Sequence, residues 1–257
     1  MRIYIMTDRE GISGVVDIDY MDRELPFYTD ARKLLMGDVN AAIAGCFDGG
    51  ATEVVVKDGH FKGNNFITDR LNERAVCDKV SNPWTGILDR SFDATLFVGT
   101  HAMAGTRDAF LDHTMDPDSW FEYSINGKPL GEIGMWATMC GHLKLPLVYT
   151  CGDTAACREA EALIPGIVTT AVKTGRGRNN AMGPHPAEAQ ESIRRDAARA
   201  VSAGKRKFPK PLIWPKPLTL KLVLYRADMA DNFGQGTTRV DARTVTKKVN
   251  NQFDIVL

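Results

Sequence analysis

Three short apolar runs in the first hundred residues each end at side chains able to bind a metal or carry a proton. Ile3 to Thr7 runs into Asp8-Arg9-Glu10, Val54 to Val56 passes Lys57 into Asp58-Gly59-His60, and Leu96 to Val98 passes Gly99-Thr100 into His101. His113 follows in the next stretch, so three of the five histidines lie near these run ends. In open α/β sheets, ligands gather outside the carboxyl ends of the strands. Neighbouring parallel strands would therefore bring Asp8, Asp58, His60 and His101 together. Asp8 and Glu10 are two residues apart, as are Asp58 and His60, so an extended backbone turns each pair to one side. An Asp, a Glu and two His form a hard-to-borderline donor set that suits Zn²⁺ or Mn²⁺ better than a thiolate site would. The same residue types at strand ends also act as caps or as ordinary hydrogen-bonding groups. Spacing alone leaves both readings open.

Other chemistries have less support. The sequence has no G-x-G-x-x-G and no G-x-x-x-x-G-K-[ST], so a nucleotide-binding loop is not indicated. It has no G-x-S-x-G, so the serine elbow is missing. Ser13, in Gly11-Ile12-Ser13-Gly14, reads as part of a small-residue turn. The basic loop from Lys173 to Asn180, with Arg176 and Arg178, suits a carboxylate or phosphate, or is simply solvated. His142 and His185 lie near expected helix ends, where capping or surface roles fit.

The elements that must position these groups alternate between strand and helix. Short β-branched and aromatic runs suit strands buried on both faces of a parallel sheet. Leu35, Val39, Ile43, Cys46 and Phe47 recur at helical spacing and stop at Gly49-Gly50, so Ile3 to Val56 forms one β-α-β unit with a long loop after Asp8. Helices are predicted at Glu132 to His142, Arg158 to Leu163 and Pro186 to Ala203, and strands at Pro146 to Thr150 and Ile167 to Val172. A proline-rich crossing at 209–217 leads to β-rich segments at Leu218 to Tyr225 and Thr237 to Thr246. The expected class is α/β, a mostly parallel sheet flanked by helices with a smaller second α/β portion. The expected division is an α/β metal-binding catalytic region over 1–205 and a β-rich segment over 206–257.

Composition limits the partners. The 257 residues carry 32 Lys plus Arg against 32 Asp plus Glu, and this balance argues against nucleic acid or an anionic membrane as partner. No apolar run approaches the ~20 residues of a membrane span, and the N-terminus has no apolar core of signal-peptide length. Five scattered cysteines without a C-x-x-C pair suit buried thiols in a reducing cytoplasm.

Several motifs in fixed order carry a family resemblance. Asp8-Arg9-Glu10-Gly11-Ile12-Ser13-Gly14, Asp58-Gly59-His60, His101-Ala102, His113-Thr114-Met115 and Gly131-Glu132-Ile133-Gly134 resemble the DppA-type zinc-dependent D-aminopeptidases. The similarity continues through Gly152-Asp153, Glu159-Ala160-Glu161 and Thr170-Ala171-Val172-Lys173, and beyond about residue 205 it is one of general character only. The resemblance implies two Zn²⁺ per chain, bridged by Asp8, with Glu10 and His101 completing one site and His60 and Glu132 the other. It makes His113 the catalytic histidine, described in the family as a nucleophile. An imidazole beside two metals is chemically better suited to proton transfer. The resemblance further implies short peptide substrates, such as D-alanyl peptides, and a cytoplasmic homodecamer of two stacked pentamers. Alternatives are another two-metal amidohydrolase or phosphoesterase using the same donor set, or a non-catalytic peptide-binding protein on the same scaffold, which the intact set of ligand candidates and His113 disfavours. Arg9 stands between two of the implied ligands, and in an extended segment it should point away from them.

Overall fold

The computed structural model describes residues 1–80, 84–234 and 236–257. The three apolar runs become the centre of a seven-stranded sheet: β1 (Arg2–Thr7), β2 (Glu53–Asp58) and, on the other side of β1, β4 (Ala94–Thr100). β3 (Ala75–Asp78) extends the sheet beyond β2. β7 (Leu147–Asp153), β8 (Val168–Gly175) and the short β9 (Ala181–Met182) extend it beyond β4. All pairings are parallel except β8 with β9. The register sets Thr7 level with Asp58 on one side and with Val98 on the other. From β1 the chain moves outward to β2 and β3, then returns to β4 on the opposite side. That reversal makes a crevice between the carboxyl ends of β1 and β4, where such sheets bind ligands.

Helices cover both faces. α1 (Phe27–Asp48) and α4 (Pro186–Ser202) pack together on one face, where Leu35, Val39, Ile43 and Cys46 share a core with Ile193, Ala197 and Val201. α2 (Glu132–His142) and α3 (Thr154–Leu163) cover the other, and Trp136 lies against Tyr4 and Phe97 at ring-centroid distances of 5.9 and 6.3 Å. The long helix and the β-α-β unit expected from the sequence are both present. β3 escaped the sequence reading because its apolar run, Ala75-Val76-Cys77, is short and lies at an exposed edge, with only Asp78 of its four residues buried.

A second, five-stranded antiparallel sheet packs against the outer side of α2. Residues 120–129 supply β5 (Trp120–Ile125) and β6 (Lys128–Pro129), joined at Asn126-Gly127. The segment after residue 206 supplies β10 (Leu218–Leu224), β11 (Thr238–Arg239) and β12 (Thr244–Val249). α2 is therefore buried on two sides. Ile133, Trp136 and Cys140 face the parallel sheet, and Met135 and Met139 face the antiparallel one. A helix apolar all round is what such a position requires. The proline-rich crossing is pinned to it, with Trp214 Nε1 donating to Thr138 Oγ1 at 2.8 Å. Among the described residues no helix is long and apolar enough to cross a membrane. All five cysteines are free, and all but Cys77 are buried.

The crevice depends on a close backbone approach. The loop after β1 stays tied to β4, with Asp8 N donating to Val98 O and Gly11 N to Gly99 O, both at 2.8 Å. A Cβ on Gly11 would lie 1.8 Å from the Thr100 carbonyl oxygen. Gly99 has φ of +82°, a conformation that favours glycine. Gly11→Ala should therefore destabilise the protein by about 3 kcal/mol or more, since backbone rather than a flexible side chain must yield. Thermal melting measures this; an unchanged melting temperature would show that the loop is not held against β4.

Candidate metal centre

Asp8 and Glu10 leave the end of β1, His60 follows β2, His101 follows β4, and Glu132 opens α2. His113 enters from the loop between β4 and β5, tied back by His113 N to Ala102 O at 3.3 Å. All six side chains meet in the β1/β4 crevice and line or underlie one cavity of about 530 Å³. Asp8, Glu10, His101 and Glu132 are at most 9% exposed.

The contacts form two groups joined by Asp8. His60 Nδ1 lies 3.0 Å from both Asp8 Oδ1 and Glu10 Oε2. His101 Nε2 lies 3.3 Å from Asp8 Oδ2 and 3.4 Å from Glu132 Oε1, and His113 Nε2 is 3.6 Å from that same Glu132 oxygen. Asp8 thus turns one oxygen to each group. The resemblance pairs Glu10 with His101 and His60 with Glu132; the side-chain contacts set His60 beside Glu10 and His101 beside Glu132. The two histidine rings of the second group stack at 3.9 Å and 9°.

This donor set fits divalent ions. Nitrogen and oxygen ligands about 2.0–2.2 Å from a tetrahedral ion sit roughly 3.4 Å from one another, the scale of the separations above. Asp8, Glu10 and His60 each place a donor atom within 4.8 Å of the others, as do His101, His113 and Glu132. His101 Nε2 is buried without a well-formed hydrogen bond to any described residue. Its other nitrogen, Nδ1, donates to the Ala102 carbonyl at 3.0 Å, which fixes the tautomer and aims the Nε2 lone pair into the crevice. His113 is oriented likewise, with Nδ1 donating to Leu111 O at 2.8 Å.

The field at the site is strongly negative. Burial opposes charge on His60, but Glu10 and Asp8 outweigh it and push the imidazole up to about 10. His101 is buried too, yet Glu132 and Asp8 hold its pKa well above the ordinary range. Burial would raise Glu10 and Glu132; the neighbouring imidazoles reverse this and lower both. Glu132 also accepts the Met115 N–H at 2.8 Å and sits at the N-terminus of α2, where the helix dipole favours an anion.

Two strand-end residues do other work. Asp58 accepts the backbone N–H and the side-chain amide of Asn65, and the N–H of His60 at 3.2 Å, so it shapes the His60 loop; burial raises its pKa. Arg9 points away from the crevice, as expected, but into the protein: its guanidinium lies 4.1 Å over the Tyr28 ring and 3.4 Å from Asn65 Oδ1.

The supports beneath the site lie in or beside segments that carry the family resemblance, but the sequence does not assign their roles. Lys173, read from the sequence as the start of a basic loop, is buried in β8. Its Nζ donates to the carbonyls of Glu10, Ile12 and Val15 at 2.5, 2.9 and 2.6 Å. Those bonds use all three ammonium protons. Burial pulls Lys173 down to about 7, against the opposing charges of Asp153 and Asp38. Asp38 receives Ser13 N and Oγ at 2.7 and 2.5 Å, and burial pushes it up to about 6. Glu159, pushed up to about 7 by burial, accepts Met103 N at 2.7 Å and braces the loop after His101. The signals available were the resembling segments Glu159-Ala160-Glu161 and Thr170-Ala171-Val172-Lys173, which mark the residues without saying that they are buried.

Comparison with known proteins places the chain in a family. A family model described as D-aminopeptidase matches residues 1–256. The chain belongs to the D-aminopeptidase family. A D-aminopeptidase of Bacillus subtilis (strain 168) is 36% identical over 206 residues, which cover 78% of this chain and 74% of that protein. A solved structure described as the Zn-dependent D-aminopeptidase DppA from Bacillus subtilis, a self-compartmentalizing protease, superposes with a TM-score of 0.93 at 31% identity. It covers 99% of this chain and 94% of that one. Within this family fold, Lys173 is the buried charge that keeps the Glu10 loop in place. Lys173→Met should therefore leave three buried carbonyls without donors and cost about 2 kcal/mol or more. It should also weaken metal retention through the displaced Glu10 loop. Melting temperature and metal content after dialysis measure both; a variant that keeps its metal at full stability would overturn this role.

Proposed function

We propose that the chain is a zinc-dependent D-aminopeptidase. It holds two Zn²⁺ and hydrolyses the N-terminal amide bond of short peptides, D-alanyl peptides among them. The observation that carries this reading is the Asp8 carboxylate, whose two oxygens face two separate imidazole–carboxylate groups in one cavity. Asp8 is the shared ligand, and Glu10, His60, His101 and Glu132 divide between the two ions. D-specificity rests on family membership and on the relatives named above.

When bound, such ions supply Lewis-acid polarisation of the scissile carbonyl and acidify water at the site. The chain's own groups do the rest. Three carboxylates, Asp8, Glu10 and Glu132, would offset most of the four positive charges of two such ions, and the peptide's free α-amine would dock near the ions or an acidic group beside them. His113 keeps its Nδ1 proton on the Leu111 carbonyl, so Nε2 is free to take a proton from water and return it to the leaving amine. Ile18, Met21, Phe61, Leu111 and Met115 give the cavity an apolar wall beside the reacting bond. A cavity of about 530 Å³ takes a few residues of peptide and no folded chain.

A homo-oligomer of two stacked pentamers in the cytoplasm extends the proposal. Its support is the self-compartmentalizing relative and five cysteines without a disulfide. Light scattering should return a mass many times that of one chain; a stable, fully active monomer would contradict it.

The purified protein should contain about two divalent ions per chain, lose activity on chelation and recover it with Zn²⁺. It should turn over D-alanyl dipeptides in preference to L-peptides and phosphate esters. Saturation at one ion with full activity would remove the shared role of Asp8. His113→Ala should keep both ions but lose about 10²–10⁴-fold in kcat, together with one limb of the pH profile. Loss of metal in step with activity would make His113 a ligand or a structural residue instead.

A further inference from the structure

Two charged side chains lining the cavity, Asp118 and Arg178, have no part in the chemistry above. Among the described lining residues Arg178 is the sole Lys or Arg, and the remaining acidic lining groups are Asp8, Glu10, Asp118 and Glu132. An aminopeptidase substrate that is a free short peptide carries opposite charges at its two ends. Asp118, the acidic lining group outside the proposed metal-ligand set, suits its ammonium end, and among the described lining residues Arg178 is the one cationic side chain for its carboxylate end. We propose that Arg178 binds the C-terminal carboxylate of the substrate, which makes the enzyme selective for free dipeptides and tripeptides over longer or C-terminally blocked ones. This rests on the aminopeptidase reading given above.

The position of Arg178 is built in rather than incidental. Its carbonyl accepts the Leu111 N–H at 2.7 Å, and the carbonyl of Asn179 accepts the Ile18 N–H at 3.2 Å. The loop carrying the guanidinium is thereby tied to two segments that wall the cavity, one of them running directly into His113. Asp112 completes the mount. Its Oδ2 accepts Gly105 N at 2.7 Å, while its Oδ1 and carbonyl accept Nη1 of Arg178, the former at 3.1 Å. Among the described residues, Nε and Nη2 make no hydrogen bond with the protein. A guanidinium held by one nitrogen and free at the others presents the planar fork that pairs with a carboxylate. Extended peptide advances only ~3.3–3.6 Å per residue, so fixing both ends within one cavity limits the length that fits.

The test compares two substrates that share an N-terminus: D-alanyl-D-alanine and its C-terminal amide, with the zinc-loaded enzyme. Wild type should favour the free acid by about tenfold or more in kcat/KM. Arg178→Gln should bring the acid-to-amide ratio close to one, with the loss in KM for the acid. Arg178→Lys, which keeps the charge without the fork, should retain part of the preference. Intrinsic reactivity differences between acid and amide cancel when the ratio is compared between variants. Equal use of both substrates by wild type would overturn the proposal. So would a parallel loss on both substrates in Arg178→Gln with a lowered melting temperature, the outcome expected if the Arg178–Asp112 pair only orders its loop. Failure of wild type to cleave either substrate would instead overturn the aminopeptidase reading, and this proposal with it.

Discussion

Three carboxylates and three imidazoles share a largely buried crevice at the ends of β1 and β4, and the surrounding structure holds them there. Like charges at these separations repel, and burial penalises each ionised group further. The protein meets both costs with fixed positive potential. The Lys173 ammonium lies behind the Glu10 loop, the N-terminus of α2 carries Glu132, and backbone N–H groups reach Asp8, Asp58 and Glu132. The same negative field that raises the imidazole pKa values makes the crevice attractive to divalent cations, because protons and metals compete for the same lone pairs.

Rigidity comes from the sheet, and adaptability from the loops on it. Asp8 and His101 follow β-strands locked in parallel register, so their backbone positions are set by ladders that extend deep into the core. His113 and Arg178 come from loops that bond to one another through Leu111 and to the β4 end through Ala102. The proposed ligands Asp8 and His101 thus stand at the ends of the stiffest elements, while the proposed proton carrier and substrate anchor stand on segments joined to each other. Such a division suits a site in which ligand geometry must stay fixed while substrates enter and leave.

α2 joins the two halves of the molecule. Its inner side completes the core of the parallel sheet through Trp136, and its outer side is covered by the antiparallel sheet through Met135 and Met139. The C-terminal strands therefore act on the site indirectly, by fixing the helix whose first residue is Glu132. Two strands of that second sheet come from residues 120–129, well before the β-rich tail begins. The sequence does not reveal this pairing, because antiparallel partners far apart in the chain leave no periodic trace of each other.

Much of the site was legible in the residues themselves. Apolar runs ending at Asp8, His60 and His101 mark parallel strands with functional carboxyl ends, since two-sided burial demands continuous apolar sequence and chemistry collects where strands stop. Ordered motifs reaching Glu132 and His113 then gave the family. Tertiary structure alone decided which strand-end groups face the crevice. Asp58 was as good a candidate as Asp8 by spacing, yet it turns to Asn65, because the loop after β2 folds back over it. Only the fold could show that Lys173 is a buried brace and not a loop cation, or that Arg178, five residues later, faces the cavity. A sequence records which side chains can do chemistry; which of them meet depends on contacts between residues from about thirty to more than a hundred and sixty positions apart, and those are fixed only when the sheet and its helices pack.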